Sequence, residues 1–133
     1  MLINKIKELD KIINKVYYKS SQDMTEIPNN SIDLIITSPP YFNIKDYSKD
    51  GKQNNTHAKK KKEQLGDIKA YSDFINELHK VWIECERILQ PNGKLIINTP
   101  LMPMKKADFT SHYNRHIFDI NSDIQNSIIN HKK

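Results

Sequence analysis

Four consecutive residues, Ser38-Pro39-Pro40-Tyr41, combine types that could do chemistry at one point of the chain. Serine carries a hydroxyl that donates and accepts hydrogen bonds. The prolines lack an N–H and hold φ fixed, so the loop is rigid. Tyrosine adds an aromatic face with a polar tip. The same residues could equally form a rigid turn whose tyrosine packs on the core, and taken by themselves they leave both readings open.

Other reactive types are scattered. Cys85 is the only cysteine, which excludes a disulfide framework within the chain and a cysteine-rich zinc site. It falls on an apolar helical stripe and reads as a packed core thiol. His112 and His116 share i,i+4 spacing, but no third ligand stands out and no metal is expected. Lys59, Lys60, Lys61 and Lys62 form a basic run that could meet phosphates or simply be solvated. Arg115, within Tyr113-Asn114-Arg115-His116, is a candidate phosphate or guanine contact, with a surface salt bridge as the plainer alternative.

These residues need elements to position them. Ile32-Asp33-Leu34-Ile35-Ile36-Thr37 is nearly continuously apolar, as in a parallel strand covered on both faces. The two prolines force the chain out of the sheet directly after it, and the carboxyl edge of such strands is where open α/β sheets bind ligands. Residues 43–66 are polar and basic and are expected to form a long flexible loop. Phe74, Ile75, Leu78, Val81, Trp82, Cys85, Ile88 and Leu89 predict a helix over 71–90, with Ser72 as its N-cap and Pro91-Asn92-Gly93 as its stop. Lys94 to Thr99 predicts the next strand. Strand, excursion with helix, and strand make a βαβ unit with a parallel sheet. Leu2, Ile6, Leu9, Ile13 and Val16 predict an amphipathic helix at the N-terminus. Ile117, Ile120, Ile124 and Ile128 suggest another in the tail.

The chain has 133 residues, room for one small domain. Its 21 basic and 16 acidic residues leave a net charge of +5. Between Lys45 and Lys69 eight lysines face four acidic residues, so most of that excess sits in one stretch and favours phosphate-rich partners. No apolar run is long enough for a membrane span, and no secretory signal is visible at the N-terminus. A cytoplasmic protein is expected.

Asp33 to Tyr41 resembles the catalytic strand and loop of amino-directed DNA methyltransferases, whose motif is Asp, Asn or Ser followed by Pro-Pro and an aromatic. Trp82 to Ile97 looks like the helix, Pro-x-Gly turn and strand that follow it in the same family. The resemblance implies an α/β, partial Rossmann-like methyltransferase domain with a mostly parallel sheet. It implies transfer of a methyl group from S-adenosylmethionine to N6 of adenine or N4 of cytosine in double-stranded DNA, within a restriction-modification system. In the family pattern Ser38 and the Pro39 carbonyl would accept from the target amino group. Pro40 would keep the loop rigid, and Tyr41 would stack on the extruded base. Asp23 and Thr37 are the candidate cofactor contacts, and Lys59 to Lys62 with Arg115 the candidate DNA contacts.

The sequence departs from the family in one respect. The cofactor motif Phe-x-Gly-x-Gly is absent, because the three glycines, Gly51, Gly66 and Gly93, lie far apart. The expectation is therefore an N-terminal catalytic half, inactive alone, that lacks the cofactor half and most of the target-recognition region. A separate chain could supply the missing half. A non-catalytic remnant or DNA-binding fragment is the alternative. An unrelated α/β module with a chance Pro-Pro turn is a third, weaker reading. Half of such a sheet would leave apolar surface bare, so self-association is expected.

Overall fold

The computed structural model describes residues 10–42, 65–103 and 117–130. In chain order the elements are strand β1 (Ile32–Thr37), a 3₁₀ turn (Leu65–Asp67), helix α1 (Tyr71–Ile88), strand β2 (Leu89–Ile97), two short strands β3 (Met102–Pro103) and β4 (Ile117–Phe118), and helix α2 (Ile120–Asn130). β1 and β2 pair in parallel, and β3 and β4 pair antiparallel. The parallel βαβ reading of the sequence is what forms. The basic stretch up to residue 64 lies outside the described residues, as do residues 1–9.

α1 is an amphipathic helix whose apolar positions recur at three- and four-residue steps. Tyr71, Phe74, Leu78, Trp82, Cys85 and Ile88 are its buried stripe. Phe42, Ile120 and Ile124 close the core around them, and Ile35, Leu95 and Ile97 pack against it from the sheet. α2 is tied to α1 by Tyr71, whose hydroxyl donates to Asp123 at 2.8 Å, and by His79 Nδ1, 2.7 Å from Ser127 Oγ.

Three local expectations are corrected. Ser72 does not cap α1. Ala70 holds that position without a side-chain bond, because the helix begins one residue before Ser72, where Tyr71 turns into the core. Pro91-Asn92-Gly93 does not separate helix from strand. β2 starts directly at Leu89, and the stretch is absorbed as a slip in register: Ile32 faces Leu89, whereas Leu34 faces Lys94. Gly93 permits this, since a Cβ there would lie 2.8 Å from Leu89 Cδ2 and 3.1 Å from the Ile32 carbonyl. The N-terminal helix does not extend through residues 10–16: residues 10–14 form a turn with Asn14 at φ 59°, and Ile13 and Val16 are exposed. A short apolar stripe that packs on none of the described residues has little to hold it helical.

The strand register also fixes what each face of the sheet carries. Ile35 pairs with Leu95 and Thr37 with Ile97 on the helix side. Leu34 pairs with Lys94 and Ile36 with Ile96 on the other side. Leu34, Ile36 and Ile96 are 50%, 69% and 51% exposed, so among the described residues the sheet is covered on one face only. The bare face is the apolar surface expected of half of such a sheet. Parallel sheets are ordinarily buried on both. The isolated chain is therefore expected to self-associate through this face, and Ile36→Lys to shift sedimentation toward the monomer; a wild-type chain that stays monomeric at high concentration would contradict it.

Candidate active site

Ser38 to Tyr41 leaves the sheet at the carboxyl end of β1, directly after Thr37. The adjoining end of β2 is joined to it. Asn98 donates its N–H to the Thr37 carbonyl at 2.9 Å, and Ser38 Oγ donates to the Asn98 carbonyl at 3.2 Å. A hydroxyl has one proton and two lone pairs. With the proton committed to Asn98, the oxygen of this exposed side chain faces other partners as an acceptor. Pro39 is buried, Pro40 and Tyr41 are half-buried, and Tyr41 packs on the core.

The residue that anchors this loop is Phe42, which the sequence reading did not single out. It is buried, with its ring 5.2 Å from Tyr71 edge-on and 5.4 Å from Phe74. The signal was available: a second aromatic directly follows Tyr41, and two adjacent aromatics leaving a strand cannot both face solvent cheaply. Tyr41 packs against the core as well, half-buried, as the plain structural reading had it, and Phe42 goes deeper.

Asp23 lies on the segment that leads toward β1, on a flank of α1. Arg87 holds that segment. Its guanidinium grips both Glu84 carboxylate oxygens at 2.9 and 2.8 Å and donates to the Met24 and Ile27 carbonyls at 2.8 and 2.9 Å. Glu84 in turn accepts the Met24 N–H at 2.7 Å, and Gln22 donates to Glu77. The Asp23 carboxylate accepts from Lys19 at 3.0 Å and from the Thr25 N–H at 3.1 Å. The Lys19 bond first, then the Thr25 N–H, lowers its pKa to about 2. Arg87, then the Met24 N–H, lowers that of Glu84.

Both carboxylates are stronger acids folded than unfolded. Their contribution is complete above the ordinary carboxylate range and is lost as pH falls through the folded values. The segment around Met24 is expected to come away from α1 as the pH drops from that range toward about 2. A Met24 amide resonance that stays unmoved through this titration would refute the clamp.

Gly93 is pressed against Leu89 and β1 and does not cradle a ligand, and Gly66 is buried in the 3₁₀ turn. The Asp23 carboxylate and the Thr37 carbonyl, the two candidate cofactor contacts, accept hydrogen bonds within the fold and keep lone pairs for further donors. Cys85 is buried in the core, and burial raises its thiol pKa to about 11, so it stays protonated and inert near neutral pH. Among the described residues no group of His, Cys, Asp and Glu side chains converges as a metal site, and no helix is long and apolar enough to cross a membrane. Lys59, Lys60, Lys61, Lys62 and Arg115 lie outside the described residues, as do His112 and His116.

Comparison with known proteins defines first a class. The chain is similar to type II methyltransferases: M.MthZI of Methanothermobacter thermautotrophicus, 36% identical over 92 residues (66% of this chain, 25% of that protein), and M.Cfr9I of Citrobacter freundii, 31% identical over 75 residues (56% and 21%). M.MjaI of Methanocaldococcus jannaschii is 29% identical over 97 residues (64% and 32%). Residues 32–133 match the family model described as DNA methylase, of the N6/N4 type, and the chain belongs to that family. It spans about a quarter of the length of the curated relatives it matches. No solved structure matches it.

Proposed function

We propose that the chain is the target-base portion of a site-specific DNA methyltransferase that moves a methyl group from S-adenosylmethionine to an exocyclic amino group, N6 of adenine or N4 of cytosine. The observation that carries this reading is the Ser38 hydroxyl, its proton held by the Asn98 carbonyl at the carboxyl edge of a parallel pair.

An exocyclic amino nitrogen is a weak nucleophile because its lone pair is delocalised into the ring. Acceptors beside it hold its protons and favour a pyramidal nitrogen. Ser38 Oγ and the Pro39 carbonyl are the acceptors in this proposal, and Tyr41 stacks on the base once it has left the duplex. The sequence carries no Phe-x-Gly-x-Gly motif, and in this proposal the donor is held chiefly by polypeptide outside this chain, whether continuous with it or separate. Asp23 and Thr37 are the chain's own candidate contributions there, and Lys59 to Lys62 with Arg115 its candidate contacts to duplex DNA.

The test is a transfer assay with labelled S-adenosylmethionine. The chain alone is expected to be inactive. Mixed with the remainder of a type II methyltransferase such as M.MthZI, it is expected to methylate DNA. A mixture that binds DNA without transfer would favour the fragment reading, in which the chain only binds.

A further inference from the structure

The Ser-Pro-Pro-Tyr loop interrupts the strand ladder at one rung. β1 and β2 pair in parallel as far as Thr37 opposite Ile97. The ladder goes on past the end of β2, because the Asn98 N–H donates to the Thr37 carbonyl at 2.9 Å. In a parallel ladder a residue that donates to position i of the neighbouring strand accepts from the N–H of position i+2. For Asn98 that position is Pro39, which has no N–H. The Ser38 hydroxyl stands in for it and donates to the Asn98 carbonyl at 3.2 Å.

This exchange of donors decides what Ser38 can offer a ligand. A serine hydroxyl rotates to suit its surroundings and acts as donor or acceptor accordingly. Ser38 is exposed, and the Asn98 carbonyl draws its proton back toward the sheet. Pro39, by contrast, is buried. A backbone N–H at that position would need a partner, since a buried donor is costly to leave unpaired. The acceptor in register is the Asn98 carbonyl. The backbone would hold that amide in line, whereas the hydroxyl must be ordered to reach the same oxygen. The amide would therefore take the bond and release the serine proton. A hydroxyl turned outward as a donor meets an amino group, itself a donor, with the wrong polarity.

We infer that Pro39 is a positioning residue for Ser38: its missing N–H leaves the Asn98 carbonyl to the Ser38 hydroxyl and so keeps Ser38 an acceptor toward the target amino group. This role is separate from the contact proposed for the Pro39 carbonyl and from the stiffness of the ring. The inference rests on the proposed function for what Ser38 accepts, and on the strand pairing for how its proton is held.

The test compares two full chains altered at position 39. Pro39→Ala restores the N–H. Lactic acid incorporated at the same position has the same methyl side chain, with an ester oxygen where the N–H would be. Both lose the ring and keep the carbonyl of position 39, so a general loosening of the loop falls on both and the proton alone separates them. In Pro39→Ala labelled with ¹⁵N-alanine, the new amide is expected to exchange with solvent roughly tenfold more slowly than an unbonded amide, the size of one hydrogen bond. Each chain is then mixed with the remainder of M.MthZI, expressed without the matching stretch. Pro39→Ala is expected to show kcat roughly tenfold below the lactic acid chain, with the same KM for DNA. In a Ser38→Ala background the two are expected to turn over equally, because no hydroxyl is left to redirect. A freely exchanging amide at position 39 overturns the inference, as does a lactic acid chain as slow as Pro39→Ala. So does a difference between the two that persists in Ser38→Ala. A protected amide together with no transfer by the unsubstituted chain sinks the proposed function and leaves the ladder pairing standing.

Discussion

Ser38→Ala, in an active mixture of this chain with the remainder of a type II methyltransferase, is expected to lower kcat by about 100-fold, the scale seen when one preorganised hydrogen-bonding group is removed from a transition state. KM for DNA should change little. The amino group presses its protons on an acceptor only as its nitrogen becomes pyramidal, so the lost interaction is made mainly in the transition state. Ser38 is exposed, and its hydroxyl donates to the Asn98 carbonyl, which solvent can satisfy instead, so the fold should survive. Ser38→Asn keeps an acceptor at the same place and should retain most of the rate. Equal losses in both variants would mean that size at the carboxyl end of β1 matters and acceptor chemistry does not. An unchanged rate in Ser38→Ala would remove the residue from the site.

What the sequence made legible follows from which signals are local. β1 and α1 were readable because an apolar run ended by two prolines, and a three-four apolar period, each fix an element without outside help. The strand order followed from connectivity, since parallel neighbours need a crossover and α1 supplies it. The start of β2 was not readable. Pro91-Asn92-Gly93 signals a turn by composition, and only the close approach of β1 shows that it forms a bulge. The stripe from Leu2 to Val16 failed as evidence for a helix over residues 10–16, since a period states which face could be buried and not whether a partner exists. The same gap explains the bare side of the sheet: Leu34, Ile36 and Ile96 are patterned for a cover that the described residues do not provide.

At the site, the Ser-Pro-Pro-Tyr loop was legible from residue types. Its supports were not. The Asn98 carbonyl and Phe42 act through positions that only the fold brings near, and the Arg87–Glu84 clamp joins residues some sixty positions from the segment they hold. The DNA-facing candidates Lys59 to Lys62 and Arg115 rest on charge pattern alone.

Phe42→Ala carries the largest expected effect on stability, and it couples the core to the site. The ring is buried between Tyr71 and Phe74, and Phe74 is itself fully buried. Removing it leaves a cavity that rigid helix and sheet neighbours cannot fill, at a cost of about 3–5 kcal/mol. Small domains have roughly 5–15 kcal/mol in all, so urea unfolding should shift far toward water or vanish as a cooperative transition. Phe42→Leu restores most of the apolar volume and loses the ring contacts, which are worth about 0.5–1.5 kcal/mol beyond burial. It should stay folded with a modestly lower midpoint. The catalytic consequence separates anchoring from mere bulk. Phe42 is the next residue after Tyr41, so a loosened Phe42 lets the stacking ring and the Pro39 carbonyl drift from the positions that β1 sets. In the active mixture, Phe42→Leu should therefore lose more in kcat than its small loss of stability implies. If Phe42→Leu is fully active, the prolines alone hold the loop; if Phe42→Ala costs less than about 1 kcal/mol, the loop does not draw on the core at all.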